Sequence, residues 1–255
     1  MNRYFIELSY NGTAYHGWQI QPNAKSVQEV IEQSLTLLLK EEIKTTGAGR
    51  TDTGVHALFY VAHFETLKEP ALLKNIVYRL NGILPADIVI HRLYKVHSDM
   101  HARFSAVSRT YEYRVITKKD CFLNTTAYRV IPTPDFYKMN IAAHELLKYT
   151  DFTSFSKLRT DVVNNDCKVY FAKWEQDTYY PHLYIFTVTA DRFLRNMVRA
   201  VVGTLLEVGQ NKKTLQEFHG IIQSKNRAKA GKSVPGNALF LKKISYPDFE
   251  YQIVE

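Results

Sequence analysis

The sequence predicts an α+β fold with a mainly antiparallel sheet and helices on one face. Strand-like and helical stretches are mixed along the chain, several strand-like stretches follow one another, and no regular β-α-β alternation appears. The two halves of the 255 residues hold similar inventories of elements without a sequence repeat between them.

Residues 4–10 read as a strand, closed by the turn pair Asn11-Gly12. Ser26-Val27-Gln28-Glu29 fits a capping box, in which a serine oxygen and a glutamate satisfy free amides at a helix start. The helix that follows carries Val27, Val30, Ile31, Leu35, Leu38 and Leu39 as an apolar stripe. After a glycine-rich stretch, residues 58–65 are aromatic and β-branched and read as a strand. Pro70 suits the first turn of a second helix, with Leu72, Leu73, Ile76, Val77 and Leu80 on one face and Asn81-Gly82 at its end. Residues 88–96 and 109–117 read as strands, 139–149 as a helix, and 168–175 and 183–189 as strands. Residues 193–208 read as a strong helix with Gly209 just past its end. Thr214-Leu215-Gln216-Glu217 caps another helix, and 240–246 is a last short strand. The best hinge is 117–134, dividing an N-terminal half, 1–117, from a C-terminal half, 118–255. Two exposed loops are expected, 156–166 and 224–237. The second carries Lys225, Arg227, Lys229 and Lys232 and reads either as a solvated loop or as a phosphate clamp.

Lys and Arg exceed Asp and Glu by 33 to 25, and the resulting +8 favours an anionic partner. The 17 tyrosines and 14 phenylalanines matter where they interleave with basic residues, because bases stack on such surfaces. Cys121 and Cys167 form no CxxC pair, which speaks against a disulfide framework or a zinc knuckle and for reduced thiols in a cytoplasmic protein. The N-terminal residues lack the apolar run of a signal peptide, and no apolar stretch reaches membrane-spanning length.

Three segments could carry chemistry. The first is Gly47-Ala48-Gly49-Arg50-Thr51-Asp52-Thr53-Gly54-Val55-His56, a glycine-rich bend with one carboxylate. Asp52 there is either a turn-former or a group held out for use. The sequence speaks against a P-loop, since Lys44 and Arg50 stand where glycine and lysine are required and a strand-like run follows instead of a helix. His56 alone does not complete a metal site, and no metal is expected. The second segment is Arg192-Phe193-Leu194-Arg195-Asn196-Met197-Val198-Arg199, whose arginines at 192, 195 and 199 would share one helix face. That face is either solvated or set against a carboxylate and phosphates, and an aspartate paired with arginine stays ionised. The third runs from Phe104 through Arg109-Thr110-Tyr111-Glu112-Tyr113-Arg114, where Tyr111 and Tyr113 fall on one side of a strand as core, sheet surface or base-stacking residues.

Together these segments resemble the TruA family of tRNA pseudouridine synthases. The family's Gly-Arg-Thr-Asp-x-Gly-Val-His signature is matched by Gly49 to His56, its Arg-x-Tyr by Arg109-Thr110-Tyr111, and its Phe-x-x-x-Met-Val-Arg with Val-Gly by Phe193 to Arg199 and Val202-Gly203. Weaker echoes are Tyr10-Asn11-Gly12 with Gly17-Trp18-Gln19, and Asp151 to Phe155. The resemblance covers about residues 3–247. It implies two ferredoxin-like halves with the active cleft between them, and isomerisation of uridine on the 3′ side of the tRNA anticodon stem-loop. It further implies a homodimer in the cytoplasm and no cofactor. By the same resemblance Asp52 is the catalytic carboxylate, Tyr111 stacks on the uracil and assists proton removal, and Arg199 pairs with the aspartate. Arg50 supports the flipped-out nucleotide, Leu239 lies under the base, and His56 and Arg195 are further substrate contacts. The family's Gly-Leu-Tyr-Leu is Ala238-Leu239-Phe240-Leu241 in this chain, so the pocket wall differs there. A non-catalytic RNA-binding protein of the same fold is the rival expectation; against it stands the intact set of Asp52 and Arg199.

Overall fold

The computed structural model describes residues 1–157 and 164–255, so residues 158–163 of the expected loop 156–166 lie outside the described residues. In chain order the elements are β1 (Asn2–Tyr10), α1 (Val27–Leu39), β2 (Thr45–Gly47), β3 (His56–Thr66), α2 (Ile76–Ile83), β4 (Ile88–Val96) and β5 (Ser108–Ile116). They continue with β6 (Tyr128–Arg129), α3 (Phe136–Glu145), β7 (Val169–Gln176), β8 (Leu183–Ala190), α4 (Met197–Gly209), α5 (Leu215–Gln223), β9 (Leu239–Ser245) and β10 (Tyr251–Ile253). The fold is α+β with mostly antiparallel strand pairing; β6 runs parallel to β5. Among the described residues no helix is long and apolar enough to cross a membrane.

The chain forms two compact units, Met1–Val107 with Leu241–Glu255, and Ser108–Phe240. This division differs from the expected one at residue 117. β5 pairs along its whole length with β8. The segment expected as a hinge is tied to the second unit as well, since Tyr128 pairs with Val115, and Ala127 and Leu123 pack on Ile116 and Leu183.

In the first unit β1 lies between β3 and β4, with β10 on the far edge of β4 and β2 beside β3. Tyr4, Phe5, Ile6 and Leu8 are all fully buried, so both faces of this central strand are covered. On one face Phe5 meets His63, Tyr94, Tyr246 and Phe249. α1 is joined to β2 by the buried Glu32, whose carboxylate accepts the Thr45 N–H at 2.7 Å and the Thr45 hydroxyl at 3.1 Å. Ser26 caps α1 by accepting the Glu29 N–H, whereas both halves of a capping box are present at Thr214 and Glu217 of α5.

The second unit pairs β5, β8 and β7 in that order. Phe186 and Val188 of β8 face an apolar interior that Met197, Val198 and Val201 of α4 and the preceding Phe193 also line.

Two helices depart from expectation for tertiary reasons. The run from Pro70 closes as a 3-10 turn, Pro70–Leu73, and leaves Leu72 exposed. α2 starts anew after Asn75, a left-handed residue that offers no side-chain cap. Its free amides are instead met by Glu255, whose carboxylate accepts the Val77 N–H at 3.0 Å and the Tyr78 N–H at 3.4 Å. α2 also runs past Asn81, because that side chain bonds the Ile90 N–H and C=O, each at 2.8 Å, instead of ending the helix. The second departure concerns α4, which begins at Met197 and not at 193, after the left-handed Asn196. The stretch before it is held by its surroundings: Asn196 donates to Ser233 at 2.6 Å, and the Arg195 carbonyl accepts the Lys157 N–H at 3.1 Å. Arg192 and Arg195 therefore do not share a helix face with Arg199.

Burial lowers the pKa of His63 to about 4, and the nearby His101 and Arg3 act in the same direction while Glu65 opposes them. Its folded pKa lies below the ordinary histidine value, so the unfolded chain binds the extra proton as pH falls from about 6.5 to 4. Stability is full above that window and falls within it. Urea unfolding at pH 7 and pH 4.5 should show a loss about 2 kcal/mol smaller in His63→Gln than in the unchanged protein. Parallel pH profiles for the two proteins would contradict the assignment.

Candidate active site

The glycine-rich bend leaves β2 and enters β3, and its main chain is fixed from several sides. Ala48 N–H donates to the Val61 carbonyl at 2.9 Å, and the Tyr60 hydroxyl donates to the Gly49 carbonyl. The Thr51 hydroxyl is held between the Tyr10 hydroxyl and the Trp18 N–H, each at 3.0 Å. Beyond it the Asp52 carbonyl accepts the Val55 N–H at 3.2 Å, and Gly54, at φ +77°, donates to the Tyr15 carbonyl at 3.2 Å. The turn around Asp52 is thus closed by its backbone carbonyl. The residue is half-buried, and Arg50, two residues earlier, is exposed.

The floor under this bend is aromatic. Trp18 stacks on Tyr60 with ring centroids 4.2 Å apart, and Tyr10 packs edge-on to Tyr60 at 5.7 Å. Gly17 makes the approach possible: its φ is +90°, and a Cβ there would collide with the Thr51 carbonyl oxygen. Tyr15 is anchored in turn by donating its hydroxyl to Asp87 at 2.6 Å, and burial together with that carboxylate raises its pKa. The weak sequence echo around Tyr10 and Gly17-Trp18 is therefore the pedestal of the Asp52 bend. Tyr15, Tyr60 and Asp87 belong to the same support; their only signal in the sequence is an aromatic or acidic residue in an ordinary turn or strand.

His56 is 2% exposed, and its Nδ1 accepts the Gly12 N–H at 3.1 Å. That bond ties the start of β3 to the turn after β1.

Tyr111, Arg195, Arg199 and Leu239 belong to the second unit. The two tyrosines of β5 fall on one side of the strand but have different surroundings. Tyr113 is fully buried and donates its hydroxyl to the Pro235 carbonyl at 2.9 Å. Tyr111 is half-buried, with its ring edge-on to Phe193 at 5.1 Å. Arg199, in the first turn of α4, donates from Nε to the Val234 carbonyl at 2.7 Å, while its own carbonyl accepts the Val234 N–H at 3.2 Å. The segment carrying Val234 can lie on α4 because residue 203 is glycine: a Cβ there would strike the Lys232 carbonyl oxygen. Gly231 N–H donates to the Thr204 hydroxyl at 2.9 Å alongside. This gives the Val202-Gly203 pair a physical role, since the close approach aims the arginine four residues earlier.

Arg195 is exposed in the stretch before α4. Leu239 is buried at the start of β9, directly after the fully buried Ala238. In the basic loop, Arg227 donates to the Gly231 carbonyl at 3.1 Å and to Ser233 at 2.8 Å, and Lys225 pairs with Asp151 at 2.8 Å. Arg227 thus braces the loop that supports Arg199.

The chain matches the family model described as tRNA pseudouridine synthase over residues 8–105 and 142–247. Asp52 and Arg199 fall within the matched segments and Tyr111 between them. A protein of Bacteroides fragilis named tRNA pseudouridine synthase A is 51% identical over 247 residues, 97% of each chain. Proteins of the same name from Porphyromonas gingivalis and a Thermoanaerobacter species are 48% and 37% identical, covering 97% and 96% of this chain and 98% and 100% of their own.

The bend's anchoring at residue 51 is open to direct test. Thr51→Val removes the hydroxyl that Tyr10 and Trp18 share and should destabilise the protein by about 1–3 kcal/mol, whereas Thr51→Ser should lose much less. Chemical denaturation of the three proteins measures both, and an unchanged midpoint for Thr51→Val would show that the hydroxyl does not hold the bend.

Proposed function

The chain belongs to the tRNA pseudouridine synthase family and isomerises uridine to pseudouridine in tRNA, and we propose that Asp52 is the carboxylate that carries out this reaction. The observation that supports this most is the fixing of the bend on both sides of Asp52, at Thr51 and at Gly54, which presents one carboxylate in a set position.

In the reaction the N1–C1′ bond of uridine breaks, the uracil turns, and C5 bonds to C1′ as its proton departs. Nothing is oxidised, reduced or transferred from a donor, so one ionised carboxylate suffices, as nucleophile at C1′ or as base at the 2′ carbon. Tyr111 stacks on the uracil and assists proton removal from C5; a half-buried ring braced edge-on by Phe193 is suited to that. Arg199 is the partner of the aspartate, its guanidinium held by its bond to Val234. Arg50, exposed in the bend, fills the space left by the flipped nucleotide. Arg195, also exposed, meets phosphate. Leu239 lies under the base. His56 is a further substrate contact, and its bond to the Gly12 N–H fixes its ring.

The substrate region is the 3′ side of the anticodon stem-loop, and the protein works as a cytoplasmic homodimer in which one tRNA touches both subunits. The +8 charge supports phosphate attraction that does not depend on sequence.

Tritium at uracil C5 should be released to water from labelled tRNA. Asp52→Asn should abolish that release while tRNA binding persists, and release at the normal rate would remove Asp52 from the chemistry. Tyr111→Phe should bind tRNA normally and react at least tenfold more slowly; normal turnover would leave Tyr111 a stacking role only.

A further inference from the structure

Phe104 is 76% exposed, yet the backbone that displays it is braced by several hydrogen bonds. His101 Nδ1 accepts the Arg103 N–H at 3.0 Å and the Phe104 N–H at 3.2 Å. The His101 carbonyl accepts the Ser105 N–H at 3.0 Å, and the Ser105 hydroxyl accepts the His101 N–H at 2.9 Å. Side chains from distant parts of the unit fix the same turn. Arg3 donates to the Met100 carbonyl at 2.8 Å, His63 Nδ1 accepts the Ala102 N–H at 3.1 Å, and Tyr246 donates to the Ala102 carbonyl at 2.6 Å. The rings pack in series, with Phe104 tilted against His101 at 4.4 Å and His101 edge-on to the buried His63 at 4.7 Å. The guanidinium of Arg103 sits 5.4 Å from the centre of the Phe104 ring.

Exposed aromatic side chains forgo the free energy that burial would give them, and an apolar tip held this firmly has lost the freedom that usually accompanies exposure. The turn is therefore built before any partner arrives. An exposed aromatic ring with an arginine against it is suited to a base stacked on the ring and a phosphate beside it. The net positive charge of the chain favours RNA over an acidic peptide of the same length only in combination with that ring, which a base matches and a carboxylate does not.

We propose that Phe104 and Arg103 form a preorganised contact for an unpaired base of the RNA substrate, separate from the reacting nucleotide. The proposal rests on the tRNA reading above. Its separateness follows from β3: His56, which supports the Asp52 bend, and His63, which supports the Phe104 turn, are seven residues apart on one strand, roughly 20 Å. The contact consequently acts on binding and not on the chemical step.

The test is the dissociation constant for unmodified tRNA, together with the single-turnover rate at saturating tRNA, for Phe104→Ala, Phe104→Trp and Arg103→Gln. Phe104→Ala should weaken binding about tenfold, the value of one stacked base, and the loss should appear in the affinity while the saturating rate keeps to the wild-type value. Phe104→Trp should bind as tightly as the unchanged protein, and Arg103→Gln should weaken binding and flatten its dependence on salt. Wild-type affinity in Phe104→Ala, or equal losses in the alanine and tryptophan variants, would overturn the proposal. So would a fall confined to the saturating rate. These outcomes are distinct from failure of the functional reading, which would show as wild-type protein that binds tRNA and forms no pseudouridine.

Discussion

The position of Asp52 depends on a hydroxyl one residue before it. Thr51 accepts the Trp18 amide and shares a hydrogen bond with Tyr10, and through these two bonds the bend is attached to the end of β1 and to the turn that follows it. Each bond is modest, on the order of 1 kcal/mol, but both act on the residue next to the carboxylate. The approach they require is closed to any residue with a Cβ at position 17, so the glycine and the threonine form one device. Tyr15 extends it, receiving Gly54 on its carbonyl and resting its hydroxyl on Asp87. A carboxylate so placed needs little reorganisation when a substrate arrives.

The second unit solves the same problem by different means. Its arginine donates to the Val234 main-chain carbonyl, which is within reach because Gly203 lets residues 231–234 lie against α4. Tyr113 holds the next carbonyl along, and Arg227 braces the loop from the other side. Two of the positive charges in this region are therefore structural. The charge count in the sequence overstates how many are available to a phosphate, since Arg227 and Lys225 are engaged within the protein.

Division of labour between neighbours recurs. Tyr111 and Tyr113 stand two residues apart on one strand, and one is an anchor while the other stays half-buried beside Phe193. His56 and His63 stand seven apart on another strand, and both accept a backbone amide from a turn that the sequence places far away. Imidazole is suited to that work when neutral, and the depressed pKa of His63 keeps it so at physiological pH.

The sequence by itself determined the fold class, most elements and the three segments to which we assign the chemistry. Alternation and helical stripes are local patterns, and the glycine-rich bend, the Arg-x-Tyr strand and the Met-Val-Arg helix start are contiguous in the chain. Tertiary structure decided where local signals compete with distant bonds. The second helix starts at Ile76 because Glu255 caps it, and it passes Asn81 because that side chain serves Ile90. α4 begins at Met197 because the residues before it are bound to Lys157 and Ser233, which separates Arg192 and Arg195 from Arg199. The same holds for the role of His56 and for the pedestal of Tyr10, Trp18 and Tyr60. A hydrogen bond or a stacked ring between residues dozens of positions apart leaves no periodicity in the chain, so only the folded arrangement reveals which donor meets which acceptor.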